Sequence, residues 1–154
     1  MFTFAEIPPY QSGEKFTADV SDDRRAITLS LPDFQAKAEA GASPMMQTRV
    51  FTLTLPVAGE GPLLEAEFTV DGFALTNPGA TATLVISVNG LSTITDFPGG
   101  TDRSFVQIVK LSTEKPAECR LCVMLLLSRA SEIAANAGFI NVPTINVEML
   151  PHAT

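Results

Sequence analysis

The stretch RVFTLTLPV (49–57) places Phe51, Leu53 and Leu55 on one side of an extended chain and Thr52 and Thr54 on the other. A period of two sends alternate side chains to opposite faces, so the segment reads as a strand with one dry and one wet face. The pattern recurs to either side of it. Ile27, Leu29 and Leu31 alternate with Ala26, Thr28 and Ser30; Ala66, Phe68 and Val70 with Glu65, Glu67, Thr69 and Asp71; Ala82, Leu84, Ile86 and Val88 with Thr81, Thr83 and Ser87. Antiparallel sheets with one solvated side produce this alternation.

Breakers separate the runs: Pro32-Asp33, Gly41 to Pro44, Gly59 to Pro62, Asn77-Pro78-Gly79, Asn89-Gly90 and Pro98-Gly99-Gly100. Turn signals at such short intervals predict about seven to eight strands, near 14–20, 26–31, 48–57, 64–75, 81–89, 103–112, 119–128 and 142–149. The expected fold is all-β, an antiparallel β-sandwich of jelly-roll or immunoglobulin-like type, forming a single domain over 1–154. Pro32, Pro56 and Pro143 are expected to bracket strands, because proline cannot donate to a ladder. Ser131 as a cap and Gly138 as a stop predict one short helix near 129–137.

Of 154 residues, 45% are hydrophobic and 18% charged. That balance excludes disorder as the main state, since disordered chains combine low hydrophobicity with high charge. Seventeen acids against ten bases give a net charge of −7, a field that repels phosphates and argues against nucleic acid and anionic membranes as partners. The adjacent bases Arg24 and Arg25 directly follow Asp22 and Asp23, which cancels their potential beyond about 8 Å. The longest apolar run, Leu121 to Leu127, spans seven residues, far short of the ~20 of a membrane-crossing helix. The start MFTFAEIPPY lacks the pattern of a secretory signal, and two thiols without a paired framework fit a reducing, cytoplasmic setting better than an oxidising one.

The residues offer little catalytic chemistry. Cys119 and Cys122 form a C-x-x-C with no second pair to complete a zinc site, and on a strand they would point to opposite faces. His152 is the one histidine and sits near the terminus; no G-x-S-x-G elbow occurs. Glu65 and Glu67 share a strand face, the arrangement of an acid–base pair but also of any solvated strand, and with no Trp and one Tyr there is no ready platform for a sugar. No enzymatic activity and no cofactor are expected.

Two strands are apolar on both faces, in RSFVQIVKL (103–111) and LCVMLLL (121–127). A row of exposed apolar side chains invites association. The leading expectation is therefore a structural or assembly protein that binds itself or another protein through Val106, Ile108, Leu121, Val123 and Leu125. The alternative is a ligand-binding sandwich with acidic end loops, in which Asp22, Asp23, Asp96 and Asp102 are candidate ligands for Ca²⁺.

Overall fold

The computed structural model describes residues 2–5, 14–38, 46–114, 118–129 and 138–151. They form two antiparallel sheets packed face to face, and no helix among them is long and apolar enough to cross a membrane. In chain order the strands are β1 (Phe2–Phe4), β2 (Thr17–Val20), β3 (Ala26–Ser30), β4 (Gln35–Ala38), β5 (Met46–Gly59), β6 (Leu64–Thr76), β7 (Ala80–Val88), β8 (Leu91–Phe97), β9 (Asp102–Thr113), β10 (Glu118–Arg129) and β11 (Gly138–Met149). One sheet has the order β1-β5-β10-β7-β8, the other β2-β3-β11-β6-β9, with β4 also on β11. Successive strands β5, β6 and β7 thus alternate between sheets, as do β8, β9, β10 and β11.

The alternation in sequence becomes burial in space. Phe51, Leu53 and Leu55 of β5, Leu84 and Ile86 of β7, and Phe68 and Val70 of β6 are all buried between the sheets, while the threonines and acids between them face outward. Each fully buried Leu or Phe side chain contributes roughly 1.5–3 kcal/mol of transfer free energy. The chain-terminal strand β11 is central to its sheet. It pairs with β6 on one side and with β3 and β4 end to end on the other.

All eight expected strands are present, and three more complete the sheets. β8 follows β7 through a two-residue turn in which Asn89 and Gly90 both have positive φ (48° and 87°). That is the hairpin geometry whose twist matches the flanking strands, and an Asn-Gly pair supplies it at low strain. β1 and β4 are short and add to the rims of strands already in place. Two prolines depart from the expectation. Pro56 lies inside β5, where the strand passes from its β10 partner (Glu118 opposite Pro56) to its β1 partner (Phe4 opposite Val57). Pro143 lies inside β11, at a register shift between Asn141 and Thr144. Its carbonyl accepts Leu31 N–H (2.8 Å), and Val142 N–H donates to Phe34 O (3.1 Å). A bulge tolerates proline because its missing donor interrupts pairing that has already lapsed. Of the helix expected near 129–137, Arg129 ends β10 and the remaining positions lie outside the described residues.

Candidate functional site

Leu121, Val123 and Leu125 correct the expected interface. Their exposures are 2%, 0% and 0%, so these side chains form the core. β10 lies in the middle of the five-stranded sheet, and the odd-numbered members of its apolar run are the ones that face the opposite sheet. The outer face of β10 carries Cys122, Met124 and Leu126, each half-buried. Met124 lies in a row with Val50 and Val85, and Val85 with Ile94, across four strands. Val106 and Ile108 are the two expected interface residues on the surface, 61% and 49% exposed on edge strand β9.

The four acids do not converge. Asp22 and Asp23 occupy the β2–β3 turn; Asp96 and Asp102 flank the β8–β9 loop. β11 separates the pairs, running from Phe139 beside Leu75 to Glu148 beside Ala26, roughly 30 Å at about 3.4 Å per residue. Two of them have local structural roles. Asp23 accepts the Ser21 hydroxyl (2.6 Å) and Arg25 N–H (3.1 Å), hydrogen bonds that hold its carboxyl below the usual range, Ser21 first. Asp96 accepts the Thr83 hydroxyl (2.8 Å). Among the described residues no group of three or more potential ligands could hold a metal ion.

The C-x-x-C splits across the sheet as strand geometry requires. Cys119 is buried in the core and Cys122 is half-buried outside it; both are free thiols. Burial pushes the Cys119 thiol up to about 11 and raises that of Cys122 as well, the reverse of an activated nucleophile. Glu65 and Glu67 have different surroundings: Glu67 approaches Lys110 at 4.0 Å, while Glu65 lines a concavity at one end of the sandwich.

That concavity, about 280 Å³, closes one end of the sandwich and is lined by Phe2, Arg25, Glu60, Gly61, Pro62, Leu63, Glu65, Met149, Leu150 and Pro151. Four separate pieces of chain meet here: β1, the β2–β3 turn, the β5–β6 loop running into β6, and the end of β11. β1 brings Phe2, the β5–β6 loop brings Glu60 to Leu63, β6 brings Glu65, and the end of β11 brings Met149. Gly61 lets the Phe2 ring lie close over the loop: a Cβ there would stand 2.9 Å from Cε2 of Phe2, and the ring would have to shift. The β2–β3 turn delivers Arg25. Ser21, Asp22, Asp23 and Arg24 wind tightly, with Arg24 at φ 57°, and Arg24 binds β1 through Nε to Phe4 O (2.8 Å) and Nη2 to Ala5 O (2.6 Å).

Arg25 is fixed by its backbone: its N–H donates to Ser21 Oγ (3.2 Å) and Asp23 Oδ1 (3.1 Å), and its carbonyl accepts Met149 N–H (2.7 Å). Its guanidinium is less well served. Nη2 reaches the Met149 carbonyl at 3.4 Å, and Nε is buried without a hydrogen-bond partner. A buried, unpaired donor costs about 1–3 kcal/mol. The cavity therefore combines apolar walls with the Arg25 side chain and the carboxylates of Glu60 and Glu65. In the chain Arg25 stands beside Asp22 and Asp23, which mask its charge, whereas its surroundings in space come from residues far away in sequence.

A second, shallower depression of about 340 Å³ lies on the outer face of the five-stranded sheet, between Thr52, Thr54, Ser87, Arg120 and Cys122. Phe73 and Phe139 stack at 5.8 Å and 28°, half-buried on the outer face of the other sheet.

No protein-family model and no curated protein matches the sequence. Similar solved structures include TmCBM61 in complex with β-1,4-galactotriose (TM-score 0.46, 6% identity, 90% of each chain). Another is the CBM36-1 domain of a multidomain xylanase from the hindgut metagenome of Trinervitermes trinervoides (TM-score 0.39, 7% identity, 100% of this chain and 98% of that one). A third is a carbohydrate-binding module from Cellvibrio mixtus lichenase 5A in complex with cellotriose (TM-score 0.33, 12% identity, 99% and 98%). Likenesses this distant speak to neither family nor ligand.

Proposed function

We propose that the chain is a non-catalytic binding module whose ligand seats in the end cavity. The observation that supports this is the cavity itself, walled by Phe2, Leu63, Met149 and Leu150 and edged by the Arg25 guanidinium and the Glu65 carboxylate. A pocket with apolar walls and a few convergent polar groups is the usual form of a small-molecule site. The ligand class follows from the polar groups. Arg25 asks for an acceptor, while Glu65 and the net charge of −7 disfavour an anion. A hydroxyl accepts and donates at once, so a neutral, hydroxyl-bearing ligand with an apolar face, of the size of one saccharide ring, satisfies both partners. Arg25 and its cavity carry this reading by themselves.

The test is calorimetric titration of the protein with a panel of neutral mono- and oligosaccharides, repeated on Arg25→Lys, which keeps the charge and removes the guanidinium. The expected result is binding by at least one member of the panel, weakened about tenfold or more in Arg25→Lys, as for a lost charged hydrogen bond worth ~1.5–3 kcal/mol. Absence of binding at millimolar ligand, or equal affinity in the variant, would overturn the proposal.

A further inference from the structure

Strand β9 is twelve residues long, closes its sheet, and among the described residues pairs with β6 alone. Two hydrogen bonds reveal which of its backbone groups face the open side. Thr76 N–H donates to the Thr101 carbonyl (2.8 Å) and Leu150 N–H to the Glu65 carbonyl (2.8 Å). Residues of an antiparallel strand bond alternately to one neighbour and the other, so even-numbered residues of β6 bond toward β9 and odd-numbered ones toward β11. The β6–β9 register runs without a shift from Leu64 opposite Thr113 to Leu75 opposite Asp102. Odd-numbered residues of β9 therefore direct their N–H and C=O to β6. Asp102, Ser104, Val106, Ile108 and Lys110 direct theirs outward, and all five also have exposed side chains.

We propose that this edge pairs antiparallel with β9 of a second copy of the chain, about a two-fold axis at Val106, so that the six-stranded sheet continues from one molecule into the next. A two-fold contact requires a self-complementary surface, and the order of residues along β9 provides one. With the axis at Val106, Asp102 lies opposite the partner's Lys110, Ser104 opposite the partner's Ile108, and Val106 opposite the partner's Val106. The exposed Val106 and Ile108 of both copies then form one apolar stripe, closed at each end by an opposite-charge pair.

Other registers lack this match. With the axis at Gln107, Lys110 faces Ser104; at Ile108 it faces Val106; at Lys110 the two ammonium groups face each other. An edge lysine ordinarily blocks strand addition, but Asp102, eight positions earlier, turns Lys110 into a selector of one register. Lys110 is available for that contact: its side chain is 71% exposed, and its approach to Glu67 is long at 4.0 Å. The inference does not depend on the end cavity.

Sedimentation velocity from about 1 µM to about 1 mM tests it. The expected mass rises toward twice the 16.4 kDa of one chain. Lys110→Glu sets two like-charged pairs at the ends of the contact and raises the dissociation constant about tenfold or more; the swap Asp102→Lys with Lys110→Asp restores association. Val106→Pro deletes an outward N–H, leaves the β6 ladder intact, and gives a folded monomer with an unchanged circular dichroism spectrum. A mass of one chain throughout the range overturns the inference. So does association that Lys110→Glu and Val106→Pro both leave untouched, since the contact would then lie elsewhere.

Discussion

At the scale of single residues, burial of a polar group has a measurable sign. Arg25→Met keeps most of the aliphatic stem that lines the end cavity and removes the unpaired Nε together with the long 3.4 Å bond from Nη2. Relief of an unsatisfied donor outweighs loss of a weak bond, so the empty protein gains up to about 1 kcal/mol, roughly 2–4 °C in melting temperature for a chain of this size. Saccharide binding falls in the same variant. A drop in melting temperature would show that Arg25 is a structural support instead. Cys119 gives a second signed outcome. Its thiol is raised from 9.0 to about 11 because burial disfavours the thiolate. A raised folded value means stability that is complete below pH 9 and is lost as pH climbs toward 11, on the order of 2–3 kcal/mol at ~1.4 kcal/mol per unit. Urea denaturation from pH 8 to pH 11 should show that loss in the native chain and much less of it in Cys119→Ala. Neither effect is visible in the sequence: the carbonyl that Arg25 reaches lies 124 positions away.

At the scale of elements, β10 shows what periodicity can and cannot reveal. An unbroken apolar run announces a strand covered on both sides or an interface, and the letters of LCVMLLL do not say which residues take the inner face. The register with β5 and β7 decides it. Leu125 stands between Arg49 and Leu84 and is fully buried, while its neighbour Met124 stands between Val50 and Val85 on the outer face. Leu125→Ala should therefore cost about 2–5 kcal/mol, as for a cavity in a packed core. Met124→Ala should cost less than half as much, since its outer side already meets solvent. Comparable losses at both positions, measured by urea denaturation, would place a cover over the outer face. Strands β3, β5, β6 and β7 were legible because one wet face leaves a clear period of two. β8 was not, although Asn89-Gly90 signals its turn: Thr93 and Thr95 occupy inward positions at a half-open edge, which dilutes the contrast between faces. β1 and β4 are too short for any period to register. The end cavity escaped entirely, because it exists only where β1, the β2–β3 turn, the β5–β6 loop and β11 are brought together.

At the scale of the whole molecule, the strand order makes a claim about cooperativity. The five-stranded sheet draws β1 and β5 from the first part of the chain, β7 and β8 from its middle, and β10 from its end; the six-stranded sheet interleaves β3, β6, β9 and β11 in the same way. Only a cut between β10 and β11 leaves a sheet complete, the five-stranded one, and it strips the central strand from the other. Removal of β11 alone takes the ladder partner from β3, β4 and one side of β6, along with the buried Ile140, Val142, Ile145 and Val147. At roughly 1.5–3 kcal/mol for each buried side chain, that loss approaches the 5–15 kcal/mol by which a domain is stable at all. A chain ending at residue 137 should therefore be unfolded by circular dichroism and near-ultraviolet absorption. The full chain should melt in one transition whose calorimetric and van't Hoff enthalpies agree, the signature of a single cooperative unit. Two resolved transitions, or a folded fragment 1–137, would mean that the sheets stand independently, and the residues that close the end cavity would then belong to separately folding parts.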